Sequence, residues 1–346
     1  MDNSTEAPED EYDVLIDGDL QSSEPPPCDM DAAKVLSPHL LQPLFFTVFT
    51  LGLLDNILLV LILVKQKGLK HTENLYLLNL AIANVCLLLS LPFWALGAWS
   101  EDHTRCQTFT GLYWMGIHGE ACFSSLLMVH SCSLALSPRQ GGPSATRKVR
   151  RGVVTTMLAW ILAVAMTLPE SIFYKPPVEG QKLSCSFRRP HFLAVEETLW
   201  KRFLTLKMNI LVFFLPLCVF VFCCSVRIRK PLRSGAGGDG LCWLVLAIML
   251  AFLLMWAPFH VALFLSTFQE CFPLQDCQSS HHLHASVQIT KVIATSHGCV
   301  PPLLCVILHK PIRKYLSHLF HPSWCTPRRA GEDAGQAPLR SLTTYL

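Results

Sequence analysis

Charge is scarce in this sequence. Only 15% of its 346 residues are Asp, Glu, Lys or Arg, while 51% are hydrophobic. A soluble globular domain carries about 25% charged residues. The shortage is concentrated in long windows. Residues 36–64 contain only His39 and Asp55 as ionisable groups, residues 75–98 contain no Lys, Arg, Asp or Glu, and residues 241–268 contain only His260. About 20 apolar residues cross a bilayer core, so windows of this length exclude an ordinary soluble domain. Other signals are missing as well. The first 35 residues show no basic stretch followed by an apolar core, so no cleaved signal peptide is expected. No nucleophile–base pairing, phosphate loop or metal-ligand spacing stands out. No enzyme activity, cofactor, metal or nucleic-acid partner is therefore expected. Matched broken helices in an internal repeat, which a transporter would show, are absent too.

What is present is a series of seven apolar segments, at about 38–65, 74–98, 106–136, 150–170, 202–227, 241–268 and 286–309. They predict an all-α membrane protein, a seven-transmembrane-helix bundle over 38–309. Pro169 is expected to end the fourth segment, and Lys291 and His297 interrupt the seventh. "KPIRKYLSHLF", residues 310–320, reads as a short basic amphipathic helix lying on the membrane before a tail that ends at 346. The connecting segments alternate in basicity: Lys65, Lys67 and Lys70, then Arg147, Lys148, Arg150 and Arg151, then Arg227, Arg229, Lys230 and Arg233. Lys and Arg excess marks the cytoplasmic side, which puts the N-terminus outside a plasma-membrane protein and the C-terminus inside. The 180–190 loop, with Lys182, Arg188 and Arg189, is an exception on the outer side.

Residues 1–37 form a separate region. Eleven of the chain's 25 acidic residues fall in its first 35 positions, against one Lys. Such a block cannot bury enough surface to fold and reads as a disordered interaction tail. Asn3-Ser4-Thr5 is an N-glycosylation acceptor. Tyr12 sits among carboxylates and is either a sulfated tyrosine that captures a basic protein or an ordinary tail residue. "SSHHLHAS" places His281, His282 and His284 in a solvated outer loop, with zinc binding the lesser reading. Cys325, beyond the amphipathic helix, is a palmitoylation candidate or a free thiol.

Motifs along the spans then combine. They are "GLLDNILLVLILVK" with Asn56, "LYLLNLAIAN", "SLPFWAL" with Pro92 and Trp94, Trp160 in span 4, "LKMNILVFFLPL", "LLMWAPFH" and "SHGCVPPLLC". Over residues 40–320 the pattern resembles the chemokine-receptor family of rhodopsin-type seven-helix receptors, and in particular an atypical member. That resemblance implies an extracellular chemoattractant protein as partner, chemerin first and some chemokines second, and admits hetero-oligomers with other receptors. It pairs Cys106 with Cys185 and Cys28 with Cys277. A local Cys271–Cys277 bridge stays open, because spacing does not determine connectivity.

The resemblance also marks departures. The family has a glutamate where Lys291 stands, so the pocket's sign is reversed. Trp94, Lys207 and Trp256 complete the candidate pocket, with snorkelling the plain alternative for Lys207. The family's helix 2 aspartate is Asn84 here, while Glu120 has appeared on helix 3. The two either line a displaced cation or proton site with His297, or Glu120 is simply neutral and hydrogen-bonded. Where signalling members carry Asp-Arg-Tyr, this chain has His130, Ser131 and Cys132. The helix 5 tyrosine is Cys224, and Asn-Pro-x-x-Tyr becomes Pro301-Pro302-Leu303-Leu304-Cys305. No serine or cysteine supplies arginine's planar donor fork, so coupling to G protein is doubtful. Ser317, Ser323, Thr326, Ser341, Thr343 and Thr344 are too sparse for strong arrestin recruitment. The expected protein binds and concentrates or presents its ligand; the alternative is a signalling chemokine receptor.

Overall fold

The computed structural model describes residues 38–65, 71–96, 103–136, 145–175, 186–187, 196–229, 239–274 and 276–320. Asn3, Tyr12, Cys28, Cys185 and Cys325 lie outside them, as do the side chains of Trp94 and Cys277.

Four unbroken helices come first. They are helix 1 (Pro38–Lys65), helix 2 (Thr72–Leu96), helix 3 (His103–Leu136) and helix 4 (Ala145–Phe173). Helix 5 runs from Glu197–Met208 through a π-helical stretch, Asn209–Phe214, into Leu215–Arg229. Helix 6 is Asp239–Thr267. Helix 7 is Cys277–Ser296 and Val300–Leu308, joined by a 3₁₀ turn at His297–Cys299, and helix 8 is Lys310–Phe320. A two-residue antiparallel strand pair, Tyr174–Lys175 against Ser186–Phe187, follows helix 4. The end that bears the basic loops is the inner end by the charge rule and is so termed below.

Among the described residues, six helical spans are long and apolar enough to cross a membrane, and helix 3 is not one of them. Its polar residues explain why. His118 and Glu120 are fully buried, and Ser124 and Ser131 nearly so. Helix 3 runs through the centre of the bundle, so its side chains meet neighbouring helices instead of lipid. Lipid-facing helices show the opposite pattern: Met157, Leu158 and Ile161 of helix 4 are all more than half exposed.

Several boundaries differ from the sequence expectation. Pro169 does not end helix 4, which continues to Phe173; a proline one turn from the end removes a single hydrogen bond. Helix 7 begins at Cys277, so His281, His282 and His284 are helical instead of looped. Asp276 caps this start, its carboxylate accepting from the Ser279 backbone N–H at 3.1 Å. Gln288 and His284, one turn apart, are also in hydrogen-bond contact at 3.0 Å.

The prolines shape the lower bundle. Pro301 and Pro302 open the last segment of helix 7, at the positions where a missing N–H is tolerated. Pro302 cannot donate to the Gly298 carbonyl four residues earlier, which is thereby freed for other donors. Asn56 Nδ2 of helix 1 donates to it at 2.7 Å and Asn84 Nδ2 of helix 2 at 3.4 Å. Asn84 also donates to Asn56 Oδ1 at 3.3 Å. One freed carbonyl thus ties three helices together.

Helices 2 and 3 approach closely at glycines. A Cβ on Gly116 would lie 2.6 Å from the Leu87 backbone nitrogen, and one on Gly119 would lie 2.9 Å from Ala83 Cβ. Trp160 Nε1 of helix 4 donates to Asn79 Oδ1 of helix 2 at 2.8 Å. Ile312 and Leu316 of helix 8, four residues apart, are buried against the base of the bundle, which leaves its Lys and Arg residues on the other face.

Candidate functional site

Two levels of the bundle carry the chemistry. The first is its middle. Trp256 is fully buried and touches the rings of Phe252, Phe259 and His260. Below it Phe252 meets His297 edge to face at 5.5 Å. His297 Nδ1 is paired with Glu120 Oε1, both side chains having no exposure at all. Of the three residues expected around a displaced polar site, the structure therefore joins Glu120 and His297. Asn84 is held apart from them, on Asn56 and Gly298.

A second buried pair lies between helices 4 and 5. Lys207 Nζ donates to Glu170 Oε1 and, at 2.6 Å, to the Met166 carbonyl. The two side chains are 10% and 2% exposed. Lys207 thus points into the bundle and does not snorkel. An isolated charge at this depth is costly, and the neighbouring carboxylate with the carbonyl offsets that cost. Nearby, His118 Nδ1 and Thr167 Oγ1 are 3.3 Å apart. Lys291 is buried on helix 7 at 8% exposure. Trp94 lies in helix 2.

Sequence reasoning passed over Glu170 because Pro169 was taken as the end of its helix. The signal was available: a lone carboxylate directly after a long apolar run. Glu73 and His118 were missed likewise.

The inner end is the second level. His130 Nε2 lies 3.5 Å from Glu73 Oε2, and its ring meets Tyr76 edge to face at 5.8 Å. Helix 3 is thereby joined to helix 2 by an imidazole and a carboxylate. Ser131 is 9% exposed. Cys132, Cys224 and the fully buried Cys305 pack into one apolar cluster at the base of the bundle. Pro301 is buried at the start of the last helix 7 segment. Ser131, Cys132, Cys224 and Cys305 thus place small side chains at this end of the bundle.

At the outer end Cys106 is disulfide-bonded. Cys271 is a free, exposed thiol, so the local Cys271–Cys277 bridge is not formed. Arg202 of helix 5 donates to Glu270 at 2.5 Å, next to the helix 6–7 turn.

The bundle carries prolines within helices 5, 6 and 7, at Pro216, Pro258, Pro301 and Pro302. Residues 55–304 match the family described as 7 transmembrane receptor (rhodopsin family), and the chain belongs to that family, as a multi-pass membrane protein. Within it the chain is chemokine-receptor-like. It is 49% identical to C-C chemokine receptor-like 2 of Homo sapiens, over 98% of this chain and 97% of that one. It is also 49% identical to chemokine C-C motif receptor-like 2 of Sus scrofa, and 45% identical to C-C chemokine receptor-like 2 of Mus musculus over 98% and 94% of the two chains.

Proposed function

We propose that this protein is an atypical receptor of the plasma membrane, its N-terminus outside. It binds a chemoattractant protein, chemerin first and some chemokines second, and holds or presents it without activating G protein. The observation that carries the reading is the inner end of helix 3. Residue 131 is a serine, and its neighbour His130 is engaged with Glu73. At position 131 a G-protein helix entering from below meets a serine hydroxyl in place of a guanidinium. Cys224 and Cys305 offer no phenol to assist.

Ligand capture falls to the outer face. The acidic tail, with Tyr12 sulfated and Asn3 glycosylated, steers a basic protein toward the bundle by its field. Bridges Cys106–Cys185 and Cys28–Cys277 hold the second outer loop and the tail over the bundle mouth. In the pocket, Lys207 is neutralised by Glu170. Lys291 disfavours a cationic ligand end, which leaves docking mainly to the outer surface.

The test measures labelled chemerin binding and G-protein activation on the same cells, with residues 1–35 present or deleted. Binding without activation, weakened by the deletion, is the expected result. Inhibition of cyclic AMP on ligand addition, lost when Gi is blocked, would establish the signalling alternative instead. Lys291→Glu is expected to shift ligand preference; unchanged preference and affinity would remove Lys291 from the account.

A further inference from the structure

The cysteines at the inner end carry an inference of their own. Cys132 on helix 3, Cys223 and Cys224 on helix 5 and Cys242 on helix 6 are all free thiols, and they gather within one region. Cys223 is 4% exposed. Its thiol donates to the Met128 carbonyl at 3.8 Å, one helical turn before Cys132 on helix 3, and Cys132 packs into the same cluster as Cys223. Cys132 is half-buried and so the more accessible of the two. The other neighbours are placed differently. Cys242 is engaged by the Arg227 guanidinium. Cys223 and Cys224 are successive residues of one helix, whose side chains diverge and do not face each other. Metal binding is the alternative use of clustered thiols. Among the described residues, however, no group of three or more His, Cys, Asp or Glu is arranged to hold an ion.

We propose that Cys132 and Cys223 are a redox pair, which a hydroperoxide converts to a disulfide that ties helix 3 to helix 5 at their inner ends. In the first step the Cys132 sulfur takes the terminal oxygen of the hydroperoxide. The oxygen–oxygen bond breaks, leaving a sulfenic acid and, with hydrogen peroxide as oxidant, one water. In the second step the Cys223 thiol displaces the hydroxyl as a second water and the sulfur–sulfur bond forms. Two thiols have then lost two protons and two electrons, and the peroxide has been reduced to two waters. On the cytosolic side such a bond is transient, because the thiol pool there reduces it again. While it lasts it fixes the inner ends of the two helices together, a turn or less from His130 and Ser131. The inference uses the proposed orientation of the chain and is independent of which ligand it binds.

The experiment treats the purified full chain, reduced and then freed of reductant, with hydrogen peroxide. Remaining thiols are blocked with N-ethylmaleimide, and the unreduced digest is mapped by mass spectrometry. A peptide linking Cys132 to Cys223 is expected, lost on adding dithiothreitol and lost in Cys132→Ser. The thermal midpoint of the wild type is expected to rise on oxidation, and that of Cys132→Ser to stay where it was. Peroxide that leaves both residues as maleimide adducts overturns the proposal. So do oxidation of Cys132 to sulfinic acid and a link made through Cys224 or Cys242 instead. Mapping the wild type alone decides these outcomes, whether or not the variant folds.

Discussion

Midway along the bundle, Lys207 faces Glu170 and His297 faces Glu120, all four side chains buried. At the inner end of helix 3 stand His130, Ser131 and Cys132, with Cys224 and Cys305 packed nearby. Both regions draw on helices 3, 5 and 7, yet the middle holds two buried charge pairs and the inner end, beyond His130 with Glu73, small side chains. A buried ion pair is weak evidence for stability, because desolvation of both partners opposes their attraction. What it does establish is mutual dependence: neither member is tolerated without the other. At the inner end His130 and Glu73 form a pair of their own, while Cys132, Cys224 and Cys305 fill space in an apolar cluster.

The largest effect is expected where charge is buried. Lys207→Ala leaves Glu170 without its partner and should cost about 3–5 kcal/mol, read as a lower thermal midpoint of the purified protein. The double variant Lys207→Met with Glu170→Leu should recover most of that loss; if it does not, the pair contributes more than mutual neutralisation. Next comes Gly116→Ala, whose Cβ meets the backbone of Leu87. Parting helices 2 and 3 should cost about 1–3 kcal/mol. Trp160→Phe, which leaves Asn79 Oδ1 without its donor, should cost about 1–2 kcal/mol.

At the inner end Ser131→Arg enlarges a side chain that is only 9% exposed and should cost about 1–3 kcal/mol; it should not by itself produce G-protein activation, since the residues at 224 and 305 remain cysteines. Activation by that single substitution would sink the argument from three altered positions. The smallest effect lies at the outer end of helix 7. Hydrogen bonds from Ser279 hold the Asp276 carboxyl below its ordinary value of 3.8. A lowered value in the folded state means that its contribution is present above that ordinary value and lost as pH falls through the lowered one. Asp276→Asn should therefore flatten the acid limb of the thermal midpoint slightly and leave neutral pH unchanged.

Much of the architecture was readable from residue order. Long charge-poor windows and alternating basic loops indicated seven helices. Helix 3 was counted on length, although its composition is that of a helix buried among others. Helix 4 was cut short at Pro169, because a local rule was applied where neighbours sustain the helix. That error hid Glu170, and with it the reason Lys207 can be buried. Of the polar site, Glu120, Asn84 and His297 were all named. Only the fold shows that Asn84 belongs to the Gly298 carbonyl and Glu120 to His297.

The sequence by itself determined the number of helices, their order and the distribution of loop charge. Those follow from hydropathy and from local chemistry, which act over a few turns of chain. The tertiary structure alone decided which buried charges meet, that a carbonyl released by Pro302 binds two asparagines, and that Cys223 lies beside Cys132. Those contacts join residues as far as 242 positions apart. Helix packing sets them, and no local pattern encodes it.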